Sequence, residues 1–257
     1  MPMRFQGKTA IIVGGGSGIG AATALAAGRE GACVVVADID LDNANAVVES
    51  IQEANGKAIS VKIDATRVAD CEKLVRIARK AFKRIDYLCY SAGLQTYGTV
   101  ESTSEEAWDK TIDVNLKGMF LVSKFVVPEI KKQGKGAIVN ISSVQGLQCQ
   151  HNVVAYATSK GGAIALTRAM ALDYAKDNIR VNCICPGSID TPMLRYGAGK
   201  HGPVDDILKE WGTNHPIGRI GQPEEIAKTV MFLWSDDASF MIGQPILVDG
   251  GLLSGIF

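Results

Sequence analysis

The chain has 257 residues, 47% of them hydrophobic, with 27 basic and 27 acidic side chains. The balanced charge excludes the basic footprint of a nucleic-acid or acidic-membrane binder. The apolar fraction excludes a disordered chain, and no apolar run approaches a membrane span.

The opening stretch MPMRFQGKTAIIVGGG lacks the pattern of a signal peptide, so a soluble, cytoplasmic protein is expected. From there, short β-branched runs alternate with helical patterns. The runs are TAIIVG (9–14), CVVVAD (33–38), AISVKID (58–64), IDYLCYSAG (85–93), GAIVNIS (136–142), IRVNCICPG (179–187) and PILVDGG (245–251). They are mostly apolar rather than alternating, which suits parallel strands covered on both faces. Helices are expected over 18–30, 41–54, 67–81, 104–132, 156–176 and 223–235. The rhythm runs from end to end without a linker, so one α/β domain over residues 1–257 is expected, with a doubly wound sheet of seven parallel strands and helices on both faces.

The segment 191–219 interrupts this rhythm with five glycines and three prolines. Its length and place suggest a lid over an active site; the alternative is a surface loop with a short helix at 204–211. The cysteines are scattered through apolar runs without a CxxC pair, which points to reduced core thiols, with Cys183 and Cys185 on one face of a strand. His151, His201 and His215 show no ligand spacing, and no metal is expected.

AIIVGGGSGIGAATALAAGREGA runs from a buried strand through glycines into an alanine-rich helix. Such a turn lets a pyrophosphate approach the backbone at a helix N-terminus. Two registers compete: Gly14, Gly18 and Gly20, or Gly16, Gly18 and Ala21. Gly14, Ser17, Gly18, Ile19 and Gly20 are the candidate contacts. Asp38 ends the second strand, 18 residues beyond Gly20. A carboxylate there accepts from ribose hydroxyls and repels a 2′-phosphate, which favours NAD over NADP.

Tyr156 and Lys160 stand on one helix face, four residues apart. A tyrosine with a pKa near ~10 is mostly protonated at neutral pH, and a nearby ammonium favours its phenolate. GGGSGIG, VNLKG, IVNISSVQG, YATSK and RVNCICPGSIDTPM, in this order, resemble the short-chain dehydrogenase/reductase family over nearly the whole chain. The resemblance implies a single Rossmann-type domain that interconverts an alcohol and a carbonyl with a nicotinamide cofactor. It implies Tyr156 as the base, Lys160 beside the nicotinamide ribose, Ser143 on the substrate oxygen, and Asn115 holding a relay water. Further cofactor contacts carried over are Asp64 and Ala65 near the adenine, Ser91 and Gly93 after the fourth strand, and Pro186, Gly187, Ile189 and Thr191 near the carboxamide. The chain departs from the family in Val13, where a threonine is usual, and in Tyr90–Ser91, where two asparagines are usual; Tyr90 is expected to fill space there.

Gln95, Gln145, Gln150 and His151 are the candidate substrate-pocket residues, and their polarity suits a sugar, a polyol or a sugar-derived hydroxy or keto acid. A 3-oxoacyl reductase of the same family is the alternative, although its usual NADPH conflicts with Asp38. A catalytically silent NAD-binding regulatory protein would not need Asn115, Ser143, Tyr156 and Lys160 together. The resemblance also implies a homotetramer. GGAIAL (161–166) and the apolar end GGLLSGIF (250–257) are compatible with subunit contacts or with packing inside one chain.

Overall fold

The structure, a computed structural model, describes residues 3–255. Seven parallel strands stand in the order β3-β2-β1-β4-β5-β6-β7. They are β1 (Thr9–Val13), β2 (Cys33–Asp38), β3 (Lys57–Lys62), β4 (Tyr87–Tyr90), β5 (Gly136–Ile141), β6 (Ile179–Pro186) and β7 (Pro245–Val248). The helices are α1 (Gly18–Arg29), α2 (Leu41–Glu53), α3 (Val68–Phe82), α4 (Glu105–Ile112), α5 (Gly118–Lys131), α6 (Val154–Tyr174), α7 (Pro192–Ala198), α8 (Val204–Thr213) and α9 (Pro223–Trp234).

Side chains alternate across the strands, and both faces are filled. Ile11, Val35, Leu88, Ile138 and Val181 pack in one layer with residues of α3, α5 and α6. Ile12, Val34, Val36, Cys89 and Val139 pack in the other with α1, α2 and α9. This double burial is why the runs read as continuous apolar stretches. Arg180 is the exception inside β6. It is buried because its guanidinium donates to the carbonyls of Leu233, Trp234 and Ser235, at the end of α9 where the helix offers them no partner, and of Ala238 in the turn that follows. Cys183 and Cys185 share a face with Ile164, and the cysteines are free thiols.

The differences from the expected elements fall where the chain leaves the sheet. The run 85–93 is a strand only over 87–90, and 245–251 only over 245–248. Beyond those points the chain diverges over the C-terminal edge, where the strand order reverses between β1 and β4 and a crevice opens. The expected helix 104–132 is interrupted by a π turn at Asp113–Lys117. The segment 191–219 contains two helices, α7 and α8. Thr191 starts α7 by accepting from the Leu194 amide at 3.2 Å.

The glycine turn is shaped by close approach. Gly14 has φ +74°, and a Cβ there would lie 2.5 Å from the Ala92 nitrogen. A Cβ on Gly20 would overlap the Gly14 carbonyl oxygen, so α1 can seat against the end of β1 only without a side chain at 20. Gly20→Ala is expected to lower stability by about 1–3 kcal/mol, the usual cost of overpacking. In urea unfolding this would appear as a lower midpoint with an unchanged m-value.

Candidate active site

A cavity of roughly 870 Å³ opens at the C-terminal ends of the strands, under α7 and α8. Gly14, Ser17, Gly18, Ile19 and Asp38 line one end, with Asp64 and Ala65 beside them. The Asp38 carboxylate is held by two backbone amides: Oδ2 accepts from Gly16 at 2.8 Å and Oδ1 from Asp40 at 3.0 Å. Each oxygen keeps a lone pair for another donor. Asp64 is fixed by Thr66, whose amide and hydroxyl donate to Oδ1 at 2.9 and 2.7 Å. Ser17 precedes α1 with its hydroxyl uncommitted to the helix, and the first turn of α1 carries no acidic side chain. A free hydroxyl, open amides and a positive helix end fit the phosphates of a dinucleotide. Gly20 is different: it is buried behind the turn and does not line the cavity. Its part is the packing described above rather than a direct contact.

Ser143, Tyr156 and Lys160 meet at the other end of the cavity, together with Ser91, Gly93, Pro186, Gly187, Ile189 and Thr191. The Ser142 hydroxyl donates to the Lys160 carbonyl at 2.8 Å and ties the end of β5 to α6. Ser143 instead turns its Oγ to accept from the Gln145 amide at 3.1 Å, leaving its O–H to donate. Tyr156 and Lys160 are 8% and 4% exposed. Lys160 Nζ donates to the Ile141 carbonyl at 2.9 Å and stands 5.5 Å from the Tyr156 ring centroid.

The electrostatics differ from the expectation drawn from spacing. Burial pushes the Tyr156 phenol up to about 12, against a lowering hydrogen bond from Ser143. Burial also pulls the Lys160 ammonium down to about 8. Desolvation disfavours the charged form of each group and outweighs their proximity, since Lys160 lies near the ring and spends a proton on Ile141. A further positive charge within the cavity would favour the phenolate.

Asn115 is held by protein partners. It is fully buried in the π turn and lies behind the cavity lining. Its Oδ1 accepts from Leu94 N at 2.8 Å, and its Nδ2 donates to Leu94 O and Ser159 Oγ, both at 2.9 Å. Both amide protons are used, so the side chain acts as a clamp between the loop after β4 and α6, and the second lone pair of its Oδ1 is what it retains for a water.

At the substrate end, Gln95, Gln145 and Gln150 line the cavity, whereas His151 is exposed and outside it. His151 follows a turn that carries it away from the wall, ahead of Asn152 with its φ of +61°. Sequence reasoning missed His215. It is 2% exposed, lines the cavity, and its Nδ1 donates to the Asp249 carbonyl at 2.6 Å. Its only distinctive signal, metal-ligand spacing, is absent. Asp249 in turn accepts from the amides of Gly251 and Leu253 at 3.0 and 2.9 Å. That turn brings Leu252 and Leu253 to the cavity. The apolar end expected at 250–257 is thus partly a wall of this site; Ile256 and Phe257 lie outside the described residues. Lys200, after α7, stands 4.8 and 4.6 Å from the ring centroids of Tyr97 and Tyr196 and pins this segment to the loop after β4.

Comparison with known proteins gives consistent matches. A family profile described as enoyl-(acyl carrier protein) reductase matches residues 14–253. The cyclohexanol dehydrogenase of an Acinetobacter species is 41% identical over 257 residues, 99% of this chain and 98% of its own. The 3-oxoacyl-(acyl-carrier-protein) reductase of Thermotoga maritima is 38% identical over 252 residues, 98% of this chain and 100% of its own. Among solved structures, the ligand-free aldohexose dehydrogenase of Thermoplasma acidophilum matches with a TM-score of 0.90 at 36% identity, covering 100% of this chain and 98% of that one.

Burial of the Lys160 charge carries a stability cost. With a folded value near 8 against an ordinary 10.5, the folded protein releases this proton first. The cost is present in full below pH 8 and is removed as pH rises from 8 to 10.5. Lys160→Met, net of the lost Ile141 hydrogen bond, is expected to stabilise the cofactor-free protein by about 1–3 kcal/mol at pH 6.5. Urea unfolding at pH 6.5 and 10 checks the sign, because the gain should shrink at the higher pH.

Proposed function

The chain belongs to the short-chain dehydrogenase/reductase family, and on that premise we propose that it is an NAD-dependent dehydrogenase of a sugar, a polyol or a sugar-derived hydroxy or keto acid. The coarser statement, an oxidoreductase of small-molecule alcohol and carbonyl groups, follows from the family. The preference for NAD rests on Asp38. Its carboxylate faces the adenosine end of the cavity, and among the described lining residues at that end there is no Lys or Arg to receive a 2′-phosphate.

The substrate class rests on the amide side chains that line the substrate end of the cavity. A backbone carbonyl can only accept, so His215 Nδ1 carries the proton and Nε2 offers a lone pair. His215 Nε2 and Gln145 Oε1 are buried without partners, on side chains that line the cavity. Both atoms are enclosed by the protein and are not offered to a ligand. The reading is carried by Gln95, Gln145 and Gln150, whose side chains bring amides to the substrate end of the cavity. A hydroxylated compound finds hydrogen-bond partners there that an unbranched apolar chain does not use.

When bound, the nicotinamide accepts or returns the hydride and brings a positive charge to the cavity in its oxidised form. In the proposed reaction Ser143 donates to the substrate oxygen and fixes its distance from Tyr156. Tyr156 takes the hydroxyl proton during oxidation and gives it back during reduction. Lys160, held by Ile141, orients the cofactor ribose and favours the phenolate. The segment carrying α7 and α8, together with Leu252 and Leu253, excludes water.

The 38% identity to a 3-oxoacyl-(acyl-carrier-protein) reductase favours a second reading, thioester reduction. A silent NAD-binding protein is the third, and it predicts binding without turnover. We also propose a cytoplasmic homotetramer. Gly162 does not support it, since a Cβ there would lie 2.6 Å from Leu116 within the same chain. The support lies in Phe120 on α5 and Leu172 on α6, 50% and 77% exposed.

The test is NADH formation from NAD⁺ across sugars, polyols, sugar acids and 3-hydroxyacyl thioesters, with NADP⁺ in parallel. Turnover of a hydroxylated compound with NAD⁺ is expected; activity confined to thioesters would overturn the substrate class, and activity confined to NADP⁺ the cofactor reading. Tyr156→Phe is expected to lower kcat by about 10²–10⁴-fold, with NADH affinity held within about threefold. Asp38→Asn is expected to raise the KM for NAD⁺ about tenfold and narrow the preference over NADP⁺, as loss of a charged acceptor predicts.

A further inference from the structure

Tyr90 stands where the family usually has an asparagine, directly across from Val13 in the β1–β4 ladder. It is 0% exposed and packs in the layer that holds Val13, Ala65, Met119 and Val122. It does more than fill space, because its hydroxyl donates to the Val114 carbonyl at 2.6 Å. Val114 belongs to the π turn Asp113–Lys117. A π turn shifts the helical hydrogen bonds by one residue and leaves local backbone groups in need of other partners.

We propose that Tyr90 is a positioning residue for the catalytic turn of α6, acting through the π turn it holds. From that turn Asn115 grips both backbone groups of Leu94 and the hydroxyl of Ser159. Ser159 Oγ in turn donates to the Tyr156 carbonyl at 2.7 Å. The hydrogen bonds therefore run from the end of β4, through the π turn, to the backbone of the residue that carries the phenol. Gly118 fits the same device: a Cβ there would overlap the Tyr90 hydroxyl and meet Ala65 Cβ at 3.2 Å. Tyr90 and Gly118 are a matched pair, in which the glycine makes room for the oxygen that holds the turn. Burial raises the Tyr90 phenol far above its usual range, which favours the neutral donor form.

This inference rests on the dehydrogenase reading for its kinetic consequence but not for its structural one, and the test has an arm for each. Tyr90→Phe keeps the ring and removes the donor. Hydrogen–deuterium exchange of the cofactor-free protein should then quicken about tenfold across 113–118 relative to strands β1 and β5. With a substrate found for the wild type, kcat should fall about tenfold while the KM for NAD⁺ stays within about twofold. The acidic, rising limb of the kcat–pH profile for oxidation should also move to higher pH, because a displaced Tyr156 loses part of the Ser143 hydrogen bond that lowers its pKa. Gly118→Ala should cost activity alone and cost little more when added to Tyr90→Phe.

Unchanged exchange across 113–118 in Tyr90→Phe would overturn the proposal whether or not a substrate is known. So would an unchanged kcat and pH profile with only a lowered melting temperature, or additive losses in the double variant. An inactive wild type would count against the dehydrogenase reading and leave the exchange arm to decide the role of Tyr90.

Discussion

Burial of the sheet on both faces is the constraint from which the rest of the molecule follows. Seven parallel strands covered above and below admit a polar side chain along their length only where it is hydrogen-bonded, as Asn140 is to Thr167 and Asn182 to Met241. Polar groups can gather only where the strands end, and the reversal of strand order between β1 and β4 opens a crevice at one of those ends. Where a charge does enter the sheet, as Arg180 does, it is matched by several carbonyls that would otherwise be unpaired. The cavity and its lining side chains are the outlet of this arrangement.

The same burial governs the chemistry of the cluster. Ser143, Tyr156 and Lys160 are each buried at the rim of the core. Desolvation therefore pushes the phenol and the ammonium toward their neutral forms, as it does for any ionisable group removed from water. A cation in such a low-dielectric cavity would shift the tyrosine toward phenolate far more strongly than in water. The stability lost in burying a lysine is consistent with a site selected for chemistry at some cost to the fold.

Precision in such a site depends on the layer behind it. The Tyr156 helix is tied to β5 by Ser142 and Lys160 and to the π turn through Ser159 and Asn115. At the other wall, His215 anchors Asp249, which folds the chain so that Leu252 and Leu253 reach the cavity. The bonds Ser142–Lys160, Asn115–Ser159 and His215–Asp249 join residues far apart in the chain and are buried, with little competition from water.

Local chemistry made much of this legible without coordinates. Apolar runs of strand length, separated by helical periodicity, imply a covered parallel sheet, because only such a sheet hides both faces. The glycine turn, Asp38 and the Tyr156–Lys160 spacing were readable because each is set by residues within one or two turns of chain. What tertiary structure alone decided are the matters that depend on distant partners. Gly20 serves the backbone of Gly14, Asn115 is spent on Leu94 and Ser159, and His151 turns outward while His215 faces the cavity. The balance between the Lys160 charge and the Tyr156 phenol belongs here too. Spacing along a helix places two groups on one face, but how much water the surrounding elements remove, and which carbonyl takes the proton of the ammonium, is settled only when β5, β6 and α6 are packed together.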